Sequence, residues 1–277
     1  FGNKKTTNKV YGTRDENGVG KFSDINDAAL SAIKEMGVTH VWYTGVIEHA
    51  LLTDYSAFGI PMDDADVVKG MAGSPYSIKD YYDVNPDLAT DVPNRMKEFE
   101  QLIERTRAKG LKVIIDFVPN HVARVYKSDV KPEGTKDLGE GDDKTVAFKA
   151  TNNFYYLPGQ SFRPPQHSAK LNMGVIPAPD GKFEETPAKV TGNNQFTASP
   201  GVNDWYEAIK LNYGVDIQNG YKTYFDPIPD TWNKMKDILL YWTSKNVDGF
   251  RCDMAEMVPV EFWGWVIPQI KAVNPEV

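Results

Sequence analysis

The chain has 277 residues, 41% apolar and 25% charged, which suits one large α/β domain or two smaller ones. Lysine and arginine number 31 against 38 aspartates and glutamates, and the net charge of −7 argues against nucleic acid or an anionic membrane as partner, because either would repel it. A neutral substrate fits better, and no run of about 18 apolar residues is present to span a bilayer.

After an irregular start, residues 24–36 read as a helix: Ser23 stands as the cap, Ile25, Ala29, Ile33 and Met36 share a face, and Gly37 closes it. A strand is predicted at 38–46. Pro93 opens a helix over 93–109 with Met96, Phe99 and Ile103 on one side, and Gly110 ends it. The run V-I-I-D-F-V-P-N-H (113–121) has no polar side at Val113, Ile114 and Ile115, the pattern of a parallel strand buried on both faces. Asp116, Asn120 and His121 therefore sit where that strand meets its loop. Asp230 stands as cap of a helix over 231–245, in which Met235, Ile238, Leu239 and Trp242 recur at helical spacing. The run V-D-G-F-R-C-D (247–253) follows as a strand, and a last helix starts near Val260 with a break expected at Pro268. Helices alternating with such strands mean a βα architecture.

In the last strand the two-residue period puts Arg251 and Asp253 on one side, about 6.6 Å apart along the chain direction. One arginine between two carboxylates satisfies the rule that buried charges are paired. Cys252, the only cysteine, excludes an internal disulfide and should face the opposite side as a buried, inert thiol. Two connections, 47–92 and roughly 122–228, are far longer than the two to six residues usual in a βα unit. Both leave the end of the strands where the charged residues cluster. Aromatic residues make up 12% of the chain, with 14 Tyr and 6 Trp. Most belong to the core, but aromatic faces are also what a protein lays against sugar rings.

Together the segments 113–121 and 247–253 resemble the first two short motifs of the α-amylase family of retaining glycoside hydrolases (family 13). The family pattern is an Asp, three residues, then Asn-His after the third barrel strand, and Gly-Phe-Arg-x-Asp on the fourth; both are matched without a gap. The resemblance implies a (β/α)8 TIM barrel, whose active site lies at the C-terminal face of the strands. It makes Asp253 the nucleophile, Arg251 its positioning partner, Asp116 a structural carboxylate bonded to that arginine, and His121 a donor to the bound sugar. It also makes the long second connection a subdomain inserted after the third strand. The expected division is 1–121 and 229–277 for the barrel and 122–228 for the insertion.

On that alignment the chain runs from just after strand one to just before strand five and holds three of eight barrel strands. It begins with Phe1, not Met, and reads as a piece of a longer or processed protein. An open three-stranded sheet should expose apolar surface that a closed barrel buries. The family's general-acid Glu after strand five and a further Asp after strand seven fall outside the chain, which is therefore expected to be inactive alone.

Further residues follow from the same resemblance. In S74-P-Y-S-I-K-D80, Tyr76 matches the tyrosine that stacks under the reacting sugar and Asp80 the Asp four residues on, although Ser74-Pro75 replaces His-Gly. Glu256 and Met257 take the places where many amylases have Lys-His on the leaving-group side, so a cationic contact is lost there. The loop T13-R-D-E-N-G-V-G-K21 is similar to a calcium loop, with Asp15, Asn17 and the Val19 carbonyl as ligands, but Thr13 and Lys21 stand where two more oxygens are wanted, and the lysine ammonium can replace the ion. Asn120, with groups from the insertion, marks a second calcium position. Asn212, in I209-K-L-N-Y-G-V-D216, loosely matches a further motif. His40, His49 and His167 lie in no motif and read as packing or surface residues.

The implied activity is hydrolysis of α-1,4-glucosidic bonds in starch or maltooligosaccharides. A transglycosylase or isomerase of the family, or a relative that only binds carbohydrate, are the alternatives. No organic cofactor is implied, and the expected location is extracytoplasmic.

Overall fold

The computed structural model describes residues 3, 9, 14–165 and 178–277, without the side chains of residues 14 and 15. Along them run strands β1 (His40–Tyr43), β2 (Ile47–His49), β3 (Ile78–Val84), β4 (Lys112–Phe117), β5 (His121–Ala123), β6 (Tyr156–Leu157), β7 (Ala188–Lys189), β8 (Ala208–Lys210), β9 (Val215–Asp216), β10 (Lys222–Thr223) and β11 (Gly249–Cys252). The long helices are α1 (Asp27–Glu35), α2 (Arg95–Ala108), α3 (Asp230–Ser244) and α4 (Val260–Val273).

The apolar runs of the sequence become one parallel sheet in the order β1-β4-β11. Its register sets Tyr43 opposite Ile115 and Arg251 opposite Asp116. In the central strand Val113, Ile115 and Phe117 are fully buried, because β4 is paired on both edges and covered by helices. The outer strands are more open: Trp42 is 47% exposed, and all four residues of β11 are only partly buried. This is the apolar exposure expected of an open sheet. α2 brings Phe99, Leu102 and Ile103 into the core, and α3 brings Met235, Ile238, Leu239 and Trp242. These residues and the strands form one continuous apolar cluster.

Several element ends differ from the sequence expectation. α1 starts at Asp27, since Asn26 and not Ser23 is the cap: its side-chain oxygen accepts from the amides of Ala28 and Ala29, both at 3.1 Å. Ser23 belongs to a preceding 3-10 turn, Phe22–Asp24. The strand expected at 38–46 ends at Tyr43, and after a turn at Gly45 the chain enters β2. Asp230 is the first residue of α3, not its cap, and pairs with Lys234 one turn on at 2.9 Å. Pro268 lies inside α4 without ending it. The hydrogen bond lost to proline costs helix stability, but burial of Phe262, Val266 and Ile270 holds both halves against the core.

The first long connection forms the antiparallel pair β2–β3, and every residue of β3 is buried. The second carries three further antiparallel pairs, β5–β8, β6–β7 and β9–β10. It has its own apolar cluster around Tyr155, Leu157, Phe162, Val190 and Tyr206, to which Val67 of the first connection contributes. The two connections thus pack on each other.

Trp242 is fully buried in α3 and donates its indole N–H to the Tyr81 carbonyl at 2.8 Å, joining helix to β3. Trp242→Ala is expected to lower stability by about 3–5 kcal/mol through cavity formation and the unpaired carbonyl. Chemical denaturation checks this.

Candidate active site

Parallel pairing of β4 and β11 places Asp116 and Arg251 side by side, and Asp253 follows at the end of β11. Arg251 Nη1 donates to Asp253 Oδ1 at 2.7 Å and to Asp116 Oδ1 at 3.3 Å. Asp116 is 2% exposed and Asp253 8%, so the guanidinium is the countercharge of two buried carboxylates. The other oxygen of Asp116 accepts the Gly45 amide at 2.9 Å. Gly45 has φ +67, and a Cβ there would meet Pro75 at 2.8 Å, so a glycine is needed for this approach. Arg251 lies between two rings, 5.3 Å from the Trp42 centroid and 5.5 Å from that of Tyr76. Such contacts hold a planar guanidinium in one orientation.

His121 joins this group through a bond from its ring to the Tyr76 carbonyl. It is buried, packs on the Trp205 ring at 5.2 Å, and has Asn120 Nδ2 3.0 Å from its Nδ1. Burial, then the nearby Lys210, lowers its pKa to about 4, so the imidazole is neutral near pH 7. The structure brings Tyr76, Asp116, Asn120, His121, Arg251 and Asp253 together at one end of the parallel strands.

Glu256 and Met257 lie on a 3-10 turn, Ala255–Met257, entered through Met254 at φ +50. They line a cleft of about 800 Å³ together with Tyr155, Lys210, Tyr213 and Trp263. Asp253 does not line it. Cys252 is half-buried, not fully buried as expected, because β11 has an open edge. It faces Leu239, Trp263 and Val266, and burial pushes its thiol up to about 11, which leaves it inert.

Three side chains of the site carried no signal in the sequence. Trp42 lies on the strand before the motifs, and Trp205 belongs to the irregular insertion. Lys210 is fully surrounded, although it stands between the apolar residues Ile209 and Leu211 in a segment that loosely matched a motif. Its ammonium donates to Asn120 Oδ1 and, at 3.0 Å, to the Met257 carbonyl. Burial lowers its pKa to about 7.

A family model described as "Alpha amylase, catalytic domain" matches residues 9–264. The chain belongs to the alpha-amylase family. Among curated relatives, Maltase A1 of Drosophila melanogaster is 26% identical over 86% of this chain and 32% of its own length. Cyclomaltodextrin glucanotransferase of Geobacillus stearothermophilus is 25% identical over 89% of this chain and 26% of its own. The solved structure of an alpha-amylase from Lactobacillus plantarum is 25% identical, with a TM-score of 0.53, over 92% of this chain and 40% of that one. The chain thus spans a third or less of these curated relatives. The family's catalytic domain is a (β/α)8 barrel, and three of its consecutive parallel strands are those seen here.

Calcium is common in this family, and two of the oxygens singled out for it, those of Asn120 and Asn17, have protein partners. The Asn120 oxygen is engaged by Lys210, so an ammonium stands where a cation was expected. Asn17 Oδ1 accepts the Lys9 amide at 2.6 Å, and its Nδ2 donates back at 2.9 Å. Lys21 donates to the Asp87 carbonyl at 2.7 Å. Thr13 and the Asp15 side chain lie outside the described residues, as does His167. His40 is exposed, His49 is buried and bonded to the Ala72 carbonyl at 2.8 Å, and Asn212 is buried with its amide on the Lys149 carbonyl at 2.9 Å.

Lys210→Met keeps most of the aliphatic stem and removes both hydrogen bonds. One buried and one part-buried oxygen then lose their donor, and a stability loss of about 1–3 kcal/mol is expected. Thermal unfolding of the pair reads it; an unchanged midpoint contradicts the bridging role.

Proposed function

We propose that the protein carrying this chain is a retaining α-glucan hydrolase that cleaves α-1,4-glucosidic bonds of starch or maltooligosaccharides. The observation that carries this is the Arg251 guanidinium bonded to both Asp116 and Asp253 at the strand ends. Retaining hydrolysis needs one carboxylate to attack the anomeric carbon and one carboxylic acid, about 5–5.5 Å away, to protonate the leaving oxygen. Asp253 is the attacking group. Its Oδ1 is held by Arg251, so the side chain is oriented while Oδ2 stays free for the sugar. A covalent glycosyl-enzyme forms on that oxygen and water then releases the glucose unit. Tyr76 supplies an apolar face beneath the sugar, and His121 is on this reading a donor to a hydroxyl of the bound sugar.

The general acid is not assigned within these residues. Glu256 is exposed on its turn and belongs to the leaving-group side, with Met257. On this reading the acid comes from a later strand, the 277-residue chain alone does not turn over substrate, and residues 122–228 are a subdomain inserted after the third barrel strand. An enzyme acting on such polymers fits an extracytoplasmic location.

The second reading is transglycosylation, favoured by similarity to the cyclomaltodextrin glucanotransferase. It uses the same intermediate with a sugar hydroxyl in place of water. An isomerase, or a relative that binds glucan without turnover, is the remaining alternative, since Glu256 and Met257 depart from the family pattern.

In the full-length protein Asp253→Asn is expected to abolish reducing-sugar release from starch while oligosaccharide affinity by calorimetry stays nearly unchanged; retained turnover removes Asp253 as nucleophile. Tyr76→Ala is expected to weaken oligosaccharide binding by about 1–3 kcal/mol if the ring lies on the sugar. Binding equal to the parent would make Tyr76 only a partner of Arg251.

A further inference from the structure

The two long connections also meet at a second concentration of charge, built from residues that the active site does not use. Glu48 of β2 is paired with Asp80 of β3 in the antiparallel register, and Asp129 follows from the segment after β5. One carboxylate oxygen from each lies within 4.8 Å of the other two. Glu48 is 1% exposed, and its Oε2 is shut off from solvent with no hydrogen-bond partner among the described residues. Asp80 is fully buried, whereas Asp129 stands at the surface and opens the group to water.

Local geometry holds these acids together. Asp80 Oδ2 accepts the Ser128 hydroxyl at 2.6 Å and the Asp129 amide at 2.9 Å, which draws Asp129 toward β3. Asp80 Oδ1 accepts the Tyr82 amide at 2.8 Å and keeps a lone pair for another contact. The neighbouring cations are engaged elsewhere. Lys79 Nζ is 2.9 Å from Asp63 and 3.9 Å from Glu48, and Arg95 is bound to Asp83. Burial first, and Asp83 second, push the Glu48 carboxyl up to about 9, while burial raises Asp80 to about 6.

We infer that Glu48, Asp80 and Asp129 form a binding site for a hard divalent cation of the Ca²⁺ or Mg²⁺ class, closing the β2–β3 pair onto the start of the second connection. Three carboxylates and no nitrogen or sulfur donor suit such ions, which complete their six to eight or six ligands with water. Water has access at the Asp129 side. The ion supplies charge beyond that of Lys79, and it gives Glu48 Oε2 a partner in place of none among the described residues. This site is independent of the assignment of Asp253.

The test uses the full-length protein stripped with a chelator, with Ca²⁺ and Mn²⁺ as probes in isothermal titration. Glu48→Gln and Asp129→Asn are each expected to weaken one site by about tenfold or more, and to remove the rise in unfolding temperature that Ca²⁺ gives the parent. Asn17→Ala, in the separate loop, is expected to retain both effects. Asp129 is exposed, so its variant folds and decides the matter even if Glu48→Gln does not. Failure of the parent to bind either ion at about 1 mM, or equal binding by Asp129→Asn and the parent, overturns the site.

Discussion

The shared guanidinium of Arg251 is the contact on which the site depends, and it exists because β4 and β11 run parallel with Arg251 opposite Asp116. Two buried carboxylates at adjacent strand ends would repel each other and could not shed their hydration without a fixed countercharge. One arginine supplies it, and the Gly45 amide takes the remaining oxygen of Asp116. A slip of one residue in β11 would turn Arg251 and Asp253 to the opposite face together, and a slip in β4 would turn Asp116 away from them, so register and site are specified by the same pairing. The rings of Trp42 and Tyr76 then confine the guanidinium from two sides.

Around this centre, the two long connections act as structural walls with their own polar ties. Arg124, fully buried just after β5, donates to Glu185, to the Tyr206 carbonyl at 2.7 Å and to the Lys189 carbonyl at 3.3 Å, and its guanidinium lies 3.9 Å from the Phe162 ring centroid. Lys210 does the same at the other end, joining Asn120 of the first motif to Met257 of the turn after Asp253. Both cations sit where irregular backbone leaves carbonyl groups unpaired, which is the general difficulty of burying loops. A lysine in this position bridges two separate segments, and its two oxygen partners offset part of the cost of its burial.

Much of this was legible before any coordinates. The all-apolar β4 run and the Arg-x-Asp spacing were enough to place Asp116, Arg251 and Asp253 at neighbouring strand ends, because strand periodicity is short-range and strict. Helix faces on α2 and α3 were legible for the same reason. The cap of α1 was not, since Ser23 and Asn26 are both good caps and the backbone chose the one next to Asp27. The family resemblance points Asn120 to an ion, but whether its oxygen meets a metal or an ammonium depends on which residue of the insertion arrives there. Trp205 beside His121 was invisible for the same reason, 84 positions apart in the chain and 5.2 Å apart in space.

The sequence by itself determined the alternating βα order, the apolar centre of the parallel sheet and the identity of the charged residues at its ends. Those properties follow from side-chain periodicity and from motif spacing within ten residues. Only the tertiary structure decided that Lys210 meets Asn120, that Trp42 and Trp205 flank the site, and that Glu48, Asp80 and Asp129 converge. Each of these is a contact between segments separated by long irregular connections, whose path is set by packing of one connection on the other and leaves no periodic trace in the chain.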